Sequence, residues 1–92
     1  MSEEPILSRA PSALARRTLR GVLIAAPGAE EPVLITTPGD AVWELLDRPQ
    51  SRPDLIATLA AAYDEAPTTI AADIDPVLDL LVATGALVER PA

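Results

Sequence analysis

The sequence contains no cysteine, no histidine, no lysine and no phenylalanine, and its aromatic residues are one Trp and one Tyr. Without cysteine the chain can form neither a disulfide framework nor a thiolate metal site. Without histidine, cysteine and lysine it lacks the commonest general base, the thiol nucleophile and the Schiff-base amine. We therefore expect a protein that is not an enzyme and that holds no metal and no cofactor.

Signals for export and for membrane insertion are also missing. Residues 1–5 are acidic, whereas a secretory signal begins with basic residues followed by an apolar run. No apolar run approaches the roughly 20 residues that cross a bilayer. We therefore expect a cytoplasmic protein with no membrane partner.

Net charge is −7, and all of it lies in the second half of the chain. Residues 40–92 carry ten acids and three arginines, whereas Arg9, Arg16, Arg17 and Arg20 make the first half locally basic. A winged-helix DNA reader needs a basic stripe on its recognition helix. The acidic helical half therefore predicts no nucleic-acid partner, and a winged-helix DNA-binding module stays an alternative.

The N-terminal part of the sequence predicts strands. Residues 18–25 and 32–36 are rich in β-branched and aliphatic side chains, and residues 27–31 between them are typical of a turn. The two runs predict a hairpin. An earlier strand is expected near residues 6–9 or 13–17.

Three helices are predicted after this hairpin. Thr37 suits an N-cap and Pro38 a first turn, so the first helix should begin here. It should run to about residue 47. Ser51, with Asp54 three residues later, is typical of a capping box, and the second helix should end near residue 63.

The third helix should begin at Thr68 or Thr69 and end near Gly85. Pro76 should either kink it or begin a second segment capped by Asp75, and we favour one kinked helix. Its apolar side chains cover an arc of about 140°, wider than one sheet face needs. Either the other two helices fill the excess, or it lines a groove beside a sheet edge. The members of this arc are Val77, Ile70, Leu81, Ile74, Leu78 and Val82.

An acidic group on this helix has the superficial spacing of a calcium loop. Asp73, Asp75 and Asp79 lie close in sequence, but the loop glycine and the closing glutamate of such a site are missing. We interpret the three carboxylates as a solvated helix face.

Because the strands precede the helices, the order indicates an α+β fold and not an alternating α/β fold. A three-stranded sheet cannot close on itself, so it leaves edges to which another strand can pair. Pairing of this edge with a second copy of the chain would produce a homodimer.

The order and spacing of several weak motifs resemble the PqqD-like family. Residues 21–24, 33–35 and 39–47 read GVLI, VLI and GDAVWELLD, which looks like the family's hairpin and first helix. Residues 54–63 and 72–88 resemble its second and third helices. The sequence departs from the family in lacking an aromatic and an Asn before the first helix, and in Pro76.

The resemblance implies one domain over residues 1–92, with a core of about residues 6–89. It implies a winged-helix-like fold, with a three-stranded antiparallel sheet followed by three helices and Trp43 in the core. It also implies that a peptide binds as an added strand beside the third strand and against the third helix. The residues implied for this contact are Val33, Leu34, Ile35, Thr36, Ile74, Val77, Leu78 and Leu81.

The function implied by the resemblance is that of a RiPP recognition element, a non-catalytic peptide chaperone in natural product biosynthesis. Its expected partners are the leader segment of a ribosomally synthesised precursor peptide and a separate modifying enzyme or leader peptidase. A dimerisation module that pairs through the sheet edge is a second alternative.

Overall fold

The structure is a computed structural model that describes residues 4–91, and residues 1–3 and 92 of the expected domain lie outside this range. Two antiparallel sheets pack with three helices, which confirms the predicted α+β class. In chain order the elements are β1 (Ile6–Arg9), β2 (Leu14–Arg17), β3 (Val22–Ala25), β4 (Val33–Ile35), α1 (Gly39–Leu45), β5 (Gln50–Ser51), α2 (Arg52–Tyr63), α3 (Pro67–Thr84) and β6 (Leu87–Arg90).

The predicted hairpin forms the greater part of the first sheet, whose strand order is β2–β3–β4. Strand β3 pairs with β4 so that Leu23 lies opposite Leu34, and it pairs with β2 so that Leu23 also lies opposite Arg16. Both β2 and β4 are therefore edge strands. Both places suggested for an earlier strand are occupied, one by β1 and the other by β2.

The turn between β2 and β3 depends on Gly21. Its φ of 152° lies in the region that favours glycine, and a Cβ placed there would lie 2.2 Å from the carbonyl oxygen of Ile35. No side chain fits at that distance, so glycine allows the turn to approach the end of β4.

The prediction of a single sheet was incomplete, because a second sheet has the order β5–β1–β6. Strand β1 pairs along its length with β6, which follows α3, and over two residues with β5, which precedes α2. The chain thus returns to this sheet twice after the first helix. Strand β5 has two residues, which is too short for a periodic pattern to reveal.

The N-cap of α2 and the C-terminal end of α3 agree with the sequence, whereas the expected cap of α1 was wrong. The Ser51 hydroxyl accepts a hydrogen bond of 3.3 Å from the Asp54 N–H at the start of α2. Gly85 ends α3 in the left-handed conformation, with φ of 84°. At α1 the N-cap is Pro38 and no side chain caps the helix, so Thr37 does not have this role.

Helix α3 is one continuous helix that begins at Pro67, slightly before the expected threonines, and contains Pro76. Proline suits the first turn because its missing N–H is one that a helix start leaves unpaired. Four apolar residues of α3 are buried, namely Ile70, Ile74, Leu78 and Leu81.

Trp43 of α1 lies in the core, 3% exposed, as the family resemblance implied. The Arg9 guanidinium stands over its ring, 4.8 Å from the ring centroid, and Arg9 Nε donates to the Trp43 carbonyl at 3.1 Å. This cation–π contact joins β1 of the second sheet to α1.

Arg17 of β2 joins the first sheet to α1. Its Nη1 lies 2.9 Å from Asp40 Oδ2, and its Nη2 lies 3.6 Å from Glu44 Oε1. Partial burial raises the pKa of Asp40, but hydrogen bonds from the Arg17 guanidinium, the Ala41 N–H and the Thr37 hydroxyl outweigh burial and hold this pKa below its ordinary value. The ionised carboxylate is therefore the form that the fold stabilises.

This contact predicts an acid-dependent loss of stability. Because the folded chain lowers the pKa of Asp40, the stabilisation is complete above the unfolded pKa of about 3.9 and is lost as pH falls through the lower folded value. Urea unfolding should show Asp40→Asn less stable than the wild type at neutral pH, with the difference shrinking as the pH falls below the unfolded pKa. A pH-independent difference would contradict this account. Asp47→Asn, at an exposed position just after α1, is the control.

Candidate functional site

The hydrogen bonding of the turn between β2 and β3 determines which backbone groups of β4 point to the free edge of the sheet. The Thr18 N–H donates to the Gly21 carbonyl at 2.7 Å, so these two residues form a hydrogen-bonded pair. Pair types alternate along an antiparallel ladder, so the pair of Arg16 and Leu23 is also hydrogen-bonded. Both backbone groups of Leu23 then point toward β2. Leu34, opposite Leu23 on the other side, directs its N–H and C=O to the free edge.

Helix α3 runs beside β4 in the opposite direction. The hairpin tip lies at the C-terminal end of the helix, where the Gly28 N–H donates to the Thr84 carbonyl at 2.7 Å. The end of β4 lies near the middle of the helix, because a Cβ on Gly39 would lie 2.6 Å from Ile35 Cγ2 and 3.1 Å from Val77 Cγ1. The stretch of α3 from Val77 to Thr84 therefore faces the hairpin.

Leu80 lies on this same flank of α3, because residues three apart share a helix face. It is 43% exposed, and Val77 is half-buried. The Leu34 side chain is 38% exposed and projects on the other face of the sheet, beside its cross-strand neighbour Leu23, because the adjacent Ile35 faces α3. The free edge of β4 and this flank of α3 thus border one stretch of the surface, beginning where Ile35 and Val77 meet at Gly39. We call it the β4–α3 groove and define it by the outward-facing backbone of Leu34 and the side chains of Val77 and Leu80.

The structure divides the eight residues predicted to contact a peptide into two groups. Val33, Leu34, Thr36 and Val77 are exposed or half-buried, and peptide contact at these positions stays a prediction. The side chains of the other four lie in the core and do not line the groove: Ile35 (4% exposed), Ile74, Leu78 and Leu81 (each 0% exposed).

The reason for this burial is that the apolar arc of α3 serves mainly the core. Helices α1 and α2 and the sheets cover Ile74, Leu78 and Leu81, which is the plainer of the two explanations offered by the sequence. The sequence missed Leu80, which lies off the arc. Its spacing of three residues from Val77 was the signal that could have found it.

The basic cluster of the N-terminal half is partly committed to contacts inside the protein. Arg9 stacks on Trp43, and Arg17 forms ion pairs with Asp40 and Glu44. Arg16 and Arg20 are exposed and form no ion pair among the described residues. The arrangement gives little support to a phosphate-binding stripe.

Two further searches cover residues 4–91. Among these residues no grouping of three or more carboxylates is suited to hold a metal ion. None of the helices in this range is long and apolar enough to span a membrane.

Comparison with known proteins identifies the family. The family described as coenzyme PQQ synthesis protein D (PqqD) matches residues 33–87, which is more than half of the chain. A search of curated protein sequences finds no match.

The fold is similar to a solved structure from Methylobacterium extorquens. That solution NMR structure is of the PqqD truncation of PqqCD, described as a functional and stand-alone RiPP recognition element. The likeness has a TM-score of 0.73 at 24% identity, and it covers 90% of this chain and 88% of that chain. The chain described here belongs to the PqqD family.

Proposed function

We propose that this protein binds the leader segment of a ribosomally synthesised precursor peptide as an added strand beside β4, and presents it to a separate modifying enzyme or leader peptidase. The family membership and the similarity to a solved RiPP recognition element support the substrate class. The protein itself does no bond chemistry in this proposal, in keeping with the lack of histidine, cysteine and lysine.

The observation that carries the proposal is the outward direction of the Leu34 backbone. A peptide strand pairing with Leu34 gains two backbone hydrogen bonds that the unbound edge leaves to water. In strand addition, backbone bonds supply affinity and side-chain pockets supply specificity. Val77 and Leu80 offer an apolar wall to every second side chain of such a strand.

The proposed presentation of the precursor depends on holding it close to the modifying enzyme. A recognition domain that holds a leader and also docks on an enzyme raises the effective concentration of the substrate at the active site. The domain can therefore accelerate a reaction at low precursor concentration without contributing a catalytic group.

The same free edge supports a second candidate, a homodimer in which two β4 strands pair. Edge strands with unpaired backbone groups are templates for such pairing. Sedimentation over a micromolar range separates the two, because a leader that competes for the same edge would dissociate a β4–β4 dimer.

The first prediction concerns the free N–H of Leu34. Leu34→Pro removes this donor without removing a hydrogen bond of the β3–β4 ladder, so the protein should remain folded. Isothermal calorimetry with a synthetic leader, taken from a short open reading frame near the gene, should show saturable one-to-one binding by the wild type. The variant should bind at least about tenfold more weakly.

The matched control for this variant is Ala15→Pro. Ala15 lies opposite Ile24, next to the hydrogen-bonded pair of Arg16 and Leu23, so its N–H points to the free edge of β2. This variant should bind the leader as the wild type does. Equal loss of binding in both variants, or loss in Ala15→Pro alone, would place the peptide elsewhere. A folded wild type that binds no local leader would refute the proposal.

The second prediction concerns the helix wall. Leu80→Asp places a charge in the groove, where a bound strand would bury it, so leader affinity should fall by about tenfold or more. Ala72→Asp makes the same charge change at an exposed position on the solvent side of α3 and should leave affinity unchanged. If the two variants bind equally well, the groove does not hold the peptide.

A further inference from the structure

Two cavities meet at the end of the β4–α3 groove and form one trough. The first, of about 370 Å³, lies between α1 and α2 and includes Thr37 and Tyr63 in its lining. The second, of about 260 Å³, shares Thr37 and Tyr63 and reaches Asp73 on α3. We call the two together the α1–α2 trough. The apolar floor of its larger cavity is formed by Ala41, Leu45, Leu59 and Ala62.

The trough continues the groove in two ways. Thr37 follows Ile35, the last residue of β4, by two positions. Asp73 precedes Val77 by four residues and lies on the same flank of α3. An extended peptide rises about 3.3 Å per residue, so two or three residues beyond the one paired with Leu34 reach the trough entrance.

The trough combines an apolar floor with an acidic rim. Asp40 and Glu44 border the larger cavity, and Glu65 and Asp73 border the smaller one. The one arginine of these two linings, Arg17, is already paired with Asp40 and Glu44. Four carboxylates and one arginine leave a net rim charge of −3, which favours a cation.

Tyr63, where the two cavities meet, is 42% exposed. Its ring can stack on an arginine or lysine side chain and contribute a cation–π interaction. Tyr63 is the last residue of α2, so its ring lies at the end of the helix where the two cavities share it.

We propose that the leader continues from the β4 edge into the α1–α2 trough, where it places a large apolar side chain on the floor and an arginine or lysine against the rim. The inference rests on the proposed function and names the class of leader. The continuity of the trough with the edge favours the leader as occupant over a side chain of the partner enzyme. A leader with acidic residues next to its strand segment would be rejected by like charge.

The test places a bulky side chain in the larger cavity by substituting an exposed residue of α2. Ala62 lines the floor and Ala61 lines neither cavity, although both are exposed residues of α2. Ala62→Trp should block the floor and weaken binding of the synthetic leader by about tenfold, the effect of losing one buried apolar side chain. Ala61→Trp should bind within about twofold of the wild type. Calorimetry measures both affinities without interference from the added indole.

The role of the acidic rim is tested by neutralising two of its carboxylates and measuring the salt dependence of leader binding. The double variant Glu44→Gln, Asp73→Asn should bind the leader more weakly at low salt and show a smaller loss of affinity as salt is added, because the screened attraction is reduced. The control double variant Asp47→Asn, Glu89→Gln makes the same change in net charge at exposed positions outside the trough and should keep the wild-type salt dependence.

The outcomes separate the trough from the strand site. Wild-type binding with no difference between Ala62→Trp and Ala61→Trp would overturn the trough and leave strand addition at β4 standing. The basic-leader assignment has its own test, in which the basic residues of the synthetic leader are replaced. If Ala62→Trp weakens binding but this replacement leaves the affinity unchanged, the trough stands and the assignment of a basic leader is overturned. No binding by the wild type would overturn both proposals.

Discussion

The close approach of Gly21 to Ile35 is the constraint on which the candidate site depends. A Cβ at Gly21 would lie 2.2 Å from the Ile35 carbonyl oxygen, so only glycine allows the turn at this place. This turn, through the pair of Thr18 and Gly21, sets the phase of hydrogen bonding in the whole β2–β3–β4 sheet. Shifting that phase by one residue would turn the free backbone groups of Leu34 inward.

One flank of helix α3 packs in the core, and the adjacent flank lies at the surface beside β4. Ile74, Leu78 and Leu81 are fully buried, whereas Val77 and Leu80 face the gap beside β4. The buried flank fixes the height and direction of the helix against the sheets. The groove wall is therefore positioned by core packing and not by the peptide, and such preorganisation lowers the conformational cost of binding.

Much of this architecture could be predicted from local patterns in the sequence. The hairpin, the Ser51 cap and the Gly85 end follow from turn and capping chemistry that acts within a few residues. The second sheet could not be predicted in the same way, because β1 pairs with strands that are distant in sequence.

The candidate site was only half predictable for a related reason. The wide apolar arc of the third helix left two explanations open, because a helical wheel cannot distinguish a flank covered by the protein from one left open. Leu80 belongs to the open flank because of where the hairpin lies, and that is a tertiary property. The trough beyond Thr37 depends in the same way on how α1 and α2 pack.

The most direct measurement of strand addition is amide hydrogen exchange at Leu34, followed by NMR with and without saturating leader peptide. Without leader, the Leu34 N–H should exchange rapidly, because it points away from β3. In the complex it should become strongly protected, while the N–H of Ala15 on the opposite edge stays as it was. A saturated complex in which Leu34 still exchanges rapidly, or in which Ala15 gains the protection, would contradict the account.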